Sequence, residues 1–236
     1  EERRRFLDLI ISQQDKSYLH ALIQYNKALL QRNALLKEQS LDASLYEVLE
    51  MQLGMYGQMI HEIRQQLVED FTPIFNTYYQ RICGATENVG LEYISQLEAG
   101  DFTTRLAQNR ERDRILGYTS VGIHKEEVEM TLNGYLSRRV GSQGQNKSYL
   151  IALKLAQFAF LNQRGQTTPI LLLDDLFDKL DALRVEQIVK LVSGEGFGQI
   201  FITDTNRKYL DAILSAMGGD HALFKVEQGV VTPMEE

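Results

Sequence analysis

The sequence predicts an α/β fold in which a parallel sheet is joined to a long-helix arm, and three stretches carry that prediction. The first is residues 168–181, TPILLLDDLFDKLD, where the apolar run 170–173 can cross a sheet buried on both faces and ends abruptly in Asp174 and Asp175. The second is residues 142–161, SQGQNKSYLIALKLAQFAFL, in which a small polar, glycine-containing turn opens an apolar helix. The third is residues 3–36, where apolar positions recur at helical spacing with neither Gly nor Pro among them.

Paired acids at the carboxyl end of a central strand form a Walker B pattern, the usual way to hold a hydrated Mg²⁺ beside a nucleotide. An Asp in such a place also serves as a cap for the following helix. The turn at Ser142 points backbone N–H groups outward at the positive end of a helix dipole, which makes an anion site.

Composition sets the outer bounds. The 236 residues are 44% hydrophobic and 24% charged, as in a soluble globular chain, and no apolar run nears the roughly 20 residues of a membrane helix. A cytoplasmic setting without membrane contact is expected. Cys83 is the single cysteine, so no internal disulfide can form, and it reads as a small buried apolar side chain. The net charge of −7 argues against a wholly basic nucleic-acid binder. Yet residues 1–37 carry seven Lys/Arg against four Asp/Glu, and residues 165–236 carry six against twelve. A basic end opposite an acidic end can still place one face on phosphates; ordinary solvated helix faces explain it equally well.

Taken in order, residues 3–36 show Phe6, Leu9, Ile10, Leu19, Leu22, Ile23, Leu29, Leu30 and Leu35 on helical faces, with a division near residues 12–15. A second helix runs from Leu45 through Phe71, and Pro73 bends or restarts it toward Ile82. Tyr46, Tyr56, Tyr78 and Tyr79 fall on its apolar stripe and read as packing rather than base stacking. Residues 89–94 read as a short strand. Residues 95–116 read as a polar helix rich in Arg105, Arg110, Arg112 and Arg114, with Glu111 and Asp113 lying between the last three, a salt-bridged solvated face in preference to a phosphate track. Asn133-Gly134 marks a β-hairpin. The helix from Gln143 is apolar nearly all round, as if buried against a sheet. Residues 182–192 read as a crossover helix to a parallel strand at 199–202; a helix over 206–217 and a hairpin around Gln228-Gly229 follow. The expected division is an arm over 1–115 and an α/β part over 116–236.

These features, in this order, resemble the second half of an ABC-type ATPase head. SQGQNK, LLLDD, the KLD loop, ITDTNR and the opening EERRRFLD narrow the resemblance to the RecF family of SMC-related ATPases. GYTSVGIHKEE resembles the family's GxTxxGPHRDD, with Ile123 for Pro, Lys125 for Arg, and Glu126 and Glu127 for the acids; His124 is expected to be structural. No GxxxxGKS or GxxxxGKT occurs, so the resemblance implies a C-terminal piece lacking the Walker A loop.

The resemblance implies ATP and Mg²⁺ as cofactors. Asp174 would orient the Mg²⁺, and Asp175 would stand as general base. Ser142, Gly144 and Gln145 would form a signature loop meeting ATP held by a second copy, and Asp181 the D-loop between sites. Thr203 or Thr205 would replace the His of transporter heads. Further implied are ATP-dependent homodimerisation, slow turnover in the intact protein, binding of duplex DNA near single-strand gaps, cooperation with RecR and support of RecA loading. Arg3, Arg4, Arg5, Lys16, Lys27, Arg32 and Lys37 are the DNA candidates. The competing readings are another SMC-like or transporter-type head and a helical interaction module that no longer uses nucleotide.

Overall fold

The computed structural model describes residues 1–97, 101–165, 167–174, 180–194, 196–203, 205 and 221–234. Helices α1 (Glu2–Gln14) and α2 (Lys16–Lys37) pack beside α3 (Ala43–Cys83), whose 41 residues make a rod of roughly 60 Å. Asp15 caps α2 and Asp42 caps α3, each accepting from two backbone amides, which sets the breaks in the helical pattern. Pro73 sits inside α3 without ending it. The buried stripe of α2 is Tyr18, Ala21, Tyr25, Ala28, Arg32 and Leu36. Leu19, Ile23 and Leu30, expected on the packed face, are exposed instead, because the larger Tyr18 and Tyr25 side chains take the core side.

Strand β1 (Val89–Ile94) pairs antiparallel with β2 (Glu127–Leu132), which turns through Asn133 and Gly134, both at positive φ, into β3 (Tyr135–Leu136). That turn is the hairpin expected. The single helix expected over 95–116 is two short ones, α4 (Phe102–Gln108), capped by Asp101, and α5 (Arg110–Leu116). After the one-turn α6 (Ser137–Val140), α7 (Gln143–Arg164) lies against α3 and α1 rather than chiefly against a sheet. Phe75 meets Tyr149 with ring centroids 4.7 Å apart, and Phe71 meets Phe160 at 5.8 Å. The β1–β2 pairing and the α3–α7 contact both run across the division expected at residues 115/116, and one core cluster spans both parts.

Strands β4 (Leu171–Leu173) and β5 (Ile200–Ile202) are parallel, in the register Leu171↔Ile200 and Leu173↔Ile202, and α8 (Ala182–Val192) makes the crossover. The strand expected to be buried on both faces is buried on one: Leu171 and Leu173 face inward while Leu172 is 71% exposed. Strands β6 (Phe224–Glu227) and β7 (Val230–Pro233) form the second expected hairpin, turning through Gln228 and Gly229 at positive φ. The helix expected over 206–217 lies outside the described residues.

Between α3 and β2, a three-residue 3₁₀ turn over Ile123–Lys125 carries Ile123 and the following Glu126 into the core and leaves Lys125 exposed. Glu126 is 1% exposed and its two oxygens take four donors: His61 Nδ1 at 2.8 Å, Ser95 Oγ at 2.6 Å, Arg64 at 3.1 Å and the Tyr93 hydroxyl. Arg64 reaches on to Asp8 of α1 with two further bonds, 2.9 and 3.0 Å. Gly122 lets this turn approach α2; at φ 139° a Cβ there would lie 2.4 Å from the Tyr25 hydroxyl.

His124 is structural, as its position in the turn suggested. Its Nε2 lies 3.0 Å from the Thr119 carbonyl oxygen, which can only accept, so Nε2 carries the proton and the Tyr25 hydroxyl donates to Nδ1 across 2.8 Å. Burial pushes the imidazole down to about 4. In the unfolded chain it protonates near 6.5, so acid favours unfolding as pH falls from 6.5 toward 4. The shift corresponds to at most about 3 kcal/mol. Denaturant midpoints measured across that window should fall with acidity in the native chain and flatten in His124→Gln; equal slopes in both would assign the acid sensitivity elsewhere.

Gly57 tests how α4 is seated. A Cβ there would come within 2.4 Å of the buried Phe102 ring, so Gly57→Ala should destabilise by about 1–3 kcal/mol despite alanine's better helix propensity. An unshifted urea midpoint would show that α4 yields without cost.

Candidate functional site

The residues expected to bind nucleotide lie at the carboxyl ends of β4 and β5, at the start of α8 and at the start of α7. Asp174 follows the last residue of β4, exposed at its carboxyl end. The ladder continues one step further as the Thr203 amide donates to the Leu173 carbonyl at 2.9 Å. That step turns the Thr203 hydroxyl onto Asp174 Oδ1, to which it donates. A threonine thus holds the carboxylate by one oxygen, on a residue that is itself exposed. Thr205 is exposed nearby in sequence, and Asp175 lies outside the described residues.

Such an acid fits a hydrated Mg²⁺, which keeps several waters and takes one or two carboxylates with substrate phosphates. Among the described residues no cluster of three or more His, Cys, Asp or Glu could cage a metal with protein ligands alone. Asp181 is the N-cap of α8: it accepts from the Arg184 amide at 2.9 Å and pairs with the Arg184 guanidinium at 2.8 Å. Its carboxylate therefore has a structural task whatever else it does.

The start of α7 is a capping box. Ser142 Oγ accepts from the Gln145 amide at 3.2 Å, and Gln145 Oε1 accepts from the Ser142 amide at 2.8 Å. The Gln145 amide group also donates to Glu87, which fixes the turn to the loop ahead of β1. Ser142 and Gln143 stay exposed, and Gly144 is half-buried. The amides of Gln143 and Gly144 thus lie beyond the reach of the cap, at the positive end of a 22-residue helix.

The basic candidates divide sharply. Arg32 is not a surface cation: it is fully buried, donating to Glu50 at 3.0 Å, Asp113 at 2.7 Å, Thr119 at 2.9 Å and the Leu106 carbonyl at 3.2 Å. The signal was available, since Arg32 follows Ala21, Tyr25 and Ala28 on the inward stripe of α2 by steps of three and four. Arg3 and Arg4 are turned onto Glu127, and Arg4 also donates to the Glu126 carbonyl. Arg5, Lys16, Lys27 and Lys37 are exposed.

The arginines of α4 and α5 divide as well. Arg110 pairs with Glu50 at 2.6 Å and Arg114 with Glu111 at 3.2 Å, as a salt-bridged face requires. Arg105 and Arg112 make no ion pair among the described residues, and both line one open pocket. Neither was distinguishable in the sequence from its neighbours, because the pairing depends on Glu50, sixty residues before Arg110.

No family model matches the chain. It is 80% identical over 236 residues to the DNA replication and repair protein RecF of Parabacteroides distasonis, a match covering all of this chain and 65% of that protein. A solved structure described as the recombination mediator protein RecF-ATP in the RecFOR pathway superposes with a TM-score of 0.81 at 29% identity, over 99% of this chain and 63% of that one. The Smc head domain of Pyrococcus furiosus, with a TM-score of 0.51 at 17% identity over 99% of this chain and 56% of that one, shares the fold alone. The chain spans 63–65% of the length of the first curated relatives it matches. With its parallel β4–β5 pair, its capped α7 start and its long-helix arm, it has the fold of part of an ABC-type ATPase head, and it belongs to the RecF family.

Proposed function

We propose that this chain supplies one half of a composite nucleotide site to a RecF-type DNA-repair ATPase. One observation carries the reading: Asp174, held by Thr203 at the carboxyl end of parallel strands, belongs to the same chain as an exposed helix start with uncapped amides. Asp174 would bind a hydrated Mg²⁺, whose charge would offset that of the phosphates. Thr203 fixes the orientation of that carboxylate; Asp175 would orient the attacking water and accept its proton. The Ser142, Gly144 and Gln145 turn would give its N–H donors to the terminal phosphate of a nucleotide bound to a second copy. Asp181 would lie between the two composite sites while capping α8.

Dimerisation in response to ATP would follow, since neither copy alone completes a site. In this reading the protein closes on duplex DNA near single-strand gaps, acts with RecR and supports RecA loading. Arg5, Lys16, Lys27 and Lys37 are the exposed cations left for the DNA backbone, and DNA binding would weaken with salt.

The test uses the whole RecF protein that contains this segment. Ser142→Arg places a bulky cation at the helix start and should abolish ATP-induced dimerisation in sedimentation without preventing ATP binding to the monomer. Asp174→Asn should lower Mg²⁺-dependent hydrolysis by about a hundredfold or more. Normal dimerisation of the Ser142→Arg protein would refute the composite site.

A further inference from the structure

We propose that the pocket bounded by α4, α5 and the segments at 95–96 and 120–121 is a phosphate-binding site built on Arg105 and Arg112. The pocket is open, about 480 Å³ in volume, and lined by both guanidinium-bearing residues together with Gln96, Asn109, Ser120 and Val121. Nη1 of Arg105 is buried and donates to nothing among the described residues. A guanidinium N–H taken out of water without an acceptor is a rare and costly arrangement, and a ligand oxygen would relieve it.

Charge accounting gives the ligand's sign. The acids of α5 are committed elsewhere: Glu111 to Arg114, and Asp113 to Arg32 and to the amide and hydroxyl of Ser120. Glu50 is divided between Arg32 and Arg110. Glu126, which takes the hydroxyl proton of Ser95, is filled by its four donors. Arg105 and Arg112 are left without carboxylate partners among the described residues, so the described lining of the pocket carries two positive charges.

The donors give the ligand's shape. With the Ser95 and Ser120 protons spent, the pocket offers two planar guanidinium forks and the side-chain amide of Gln96. One fork satisfies a carboxylate's two oxygens and single charge; two forks suit a phosphoryl group with three or more oxygens and up to two charges. Val121 alone supplies an apolar side chain, too little for an apolar ligand. The phosphoryl group can come from a small free phosphate or from a nucleic-acid backbone. The proposal does not rest on the composite nucleotide site, which uses other elements.

The full 236-residue chain suits the test, because it has no GxxxxGKS or GxxxxGKT loop to compete for the probe. Inorganic pyrophosphate would be titrated by calorimetry, and a fluorescein-labelled DNA duplex by anisotropy at several salt concentrations, with a glutamate-rich peptide as the carboxylate control. Arg112→Gln removes an exposed side chain, and Arg105→Lys keeps the charge but loses the fork; far-UV circular dichroism checks that both fold. Each variant should weaken pyrophosphate or duplex binding by about tenfold, and Arg112→Gln should reduce the duplex salt slope by about one if a backbone phosphate sits there. Loss confined to pyrophosphate identifies a small phosphate; loss confined to the duplex identifies nucleic acid. Unchanged binding of both probes in folded Arg112→Gln overturns the site, as does loss confined to the peptide. Should Arg105→Lys fail to fold, the exposed Arg112 position decides alone.

Discussion

Everything in this chain hangs on the buried carboxylate of Glu126. A charge held out of water is tolerated only when its lone pairs are filled, and here four donors fill them from three directions: α3 through His61 and Arg64, β1 through Tyr93, and the segment after it through Ser95. Arg64 carries the connection on to Asp8 of α1. One side chain therefore ties the arm to the antiparallel sheet. Replacing a single partner would leave the others with a buried charge, so the arrangement is all-or-none in a way that apolar packing is not.

A second buried ion cluster repeats the device toward the other end of α2. Arg32 binds Glu50 of α3 and Asp113 of α5, and Asp113 in turn holds the Ser120 amide at 3.0 Å. The GYTSVGIHKEE stretch lies between the two clusters, with Thr119 and Ser120 bound to the Arg32 group and Glu126 to the Arg64 group. What reads in sequence as a motif with a histidine and paired acids is, in space, the clamp that fixes α2 and α3 to the sheet. Its histidine is neutral and already bonded on both ring nitrogens.

The same scaffold orders the candidate rim. α3 packs on α7 and on α8, so the helix that begins at Ser142 and the helix capped by Asp181 are both referred to one rod. Glu87, in the loop that leads from α3 to β1, receives Gln145 and the Tyr79 hydroxyl, which joins the α7 start to that rod directly. A site whose parts come from a strand end and a helix start needs such a shared support, because a small shift of either part would misplace charges that act over a few ångströms.

What the amino-acid order determined by itself was local. The caps at Asp15, Asp42 and Ser142, the positive-φ turns at Asn133-Gly134 and Gln228-Gly229, and the acid at the end of the 170–173 run all follow from chemistry within a few residues. Only the tertiary structure decided which strand β1 joins, that α7 lies on α3, that Arg32 faces inward, and which arginines of α4 and α5 find acids. Each of these depends on a partner far along the chain, as with Arg32 and Asp113, eighty-one positions apart. Periodicity shows that a face is apolar but not what will cover it, and a charged residue looks the same in sequence whether its partner lies in water or in the core.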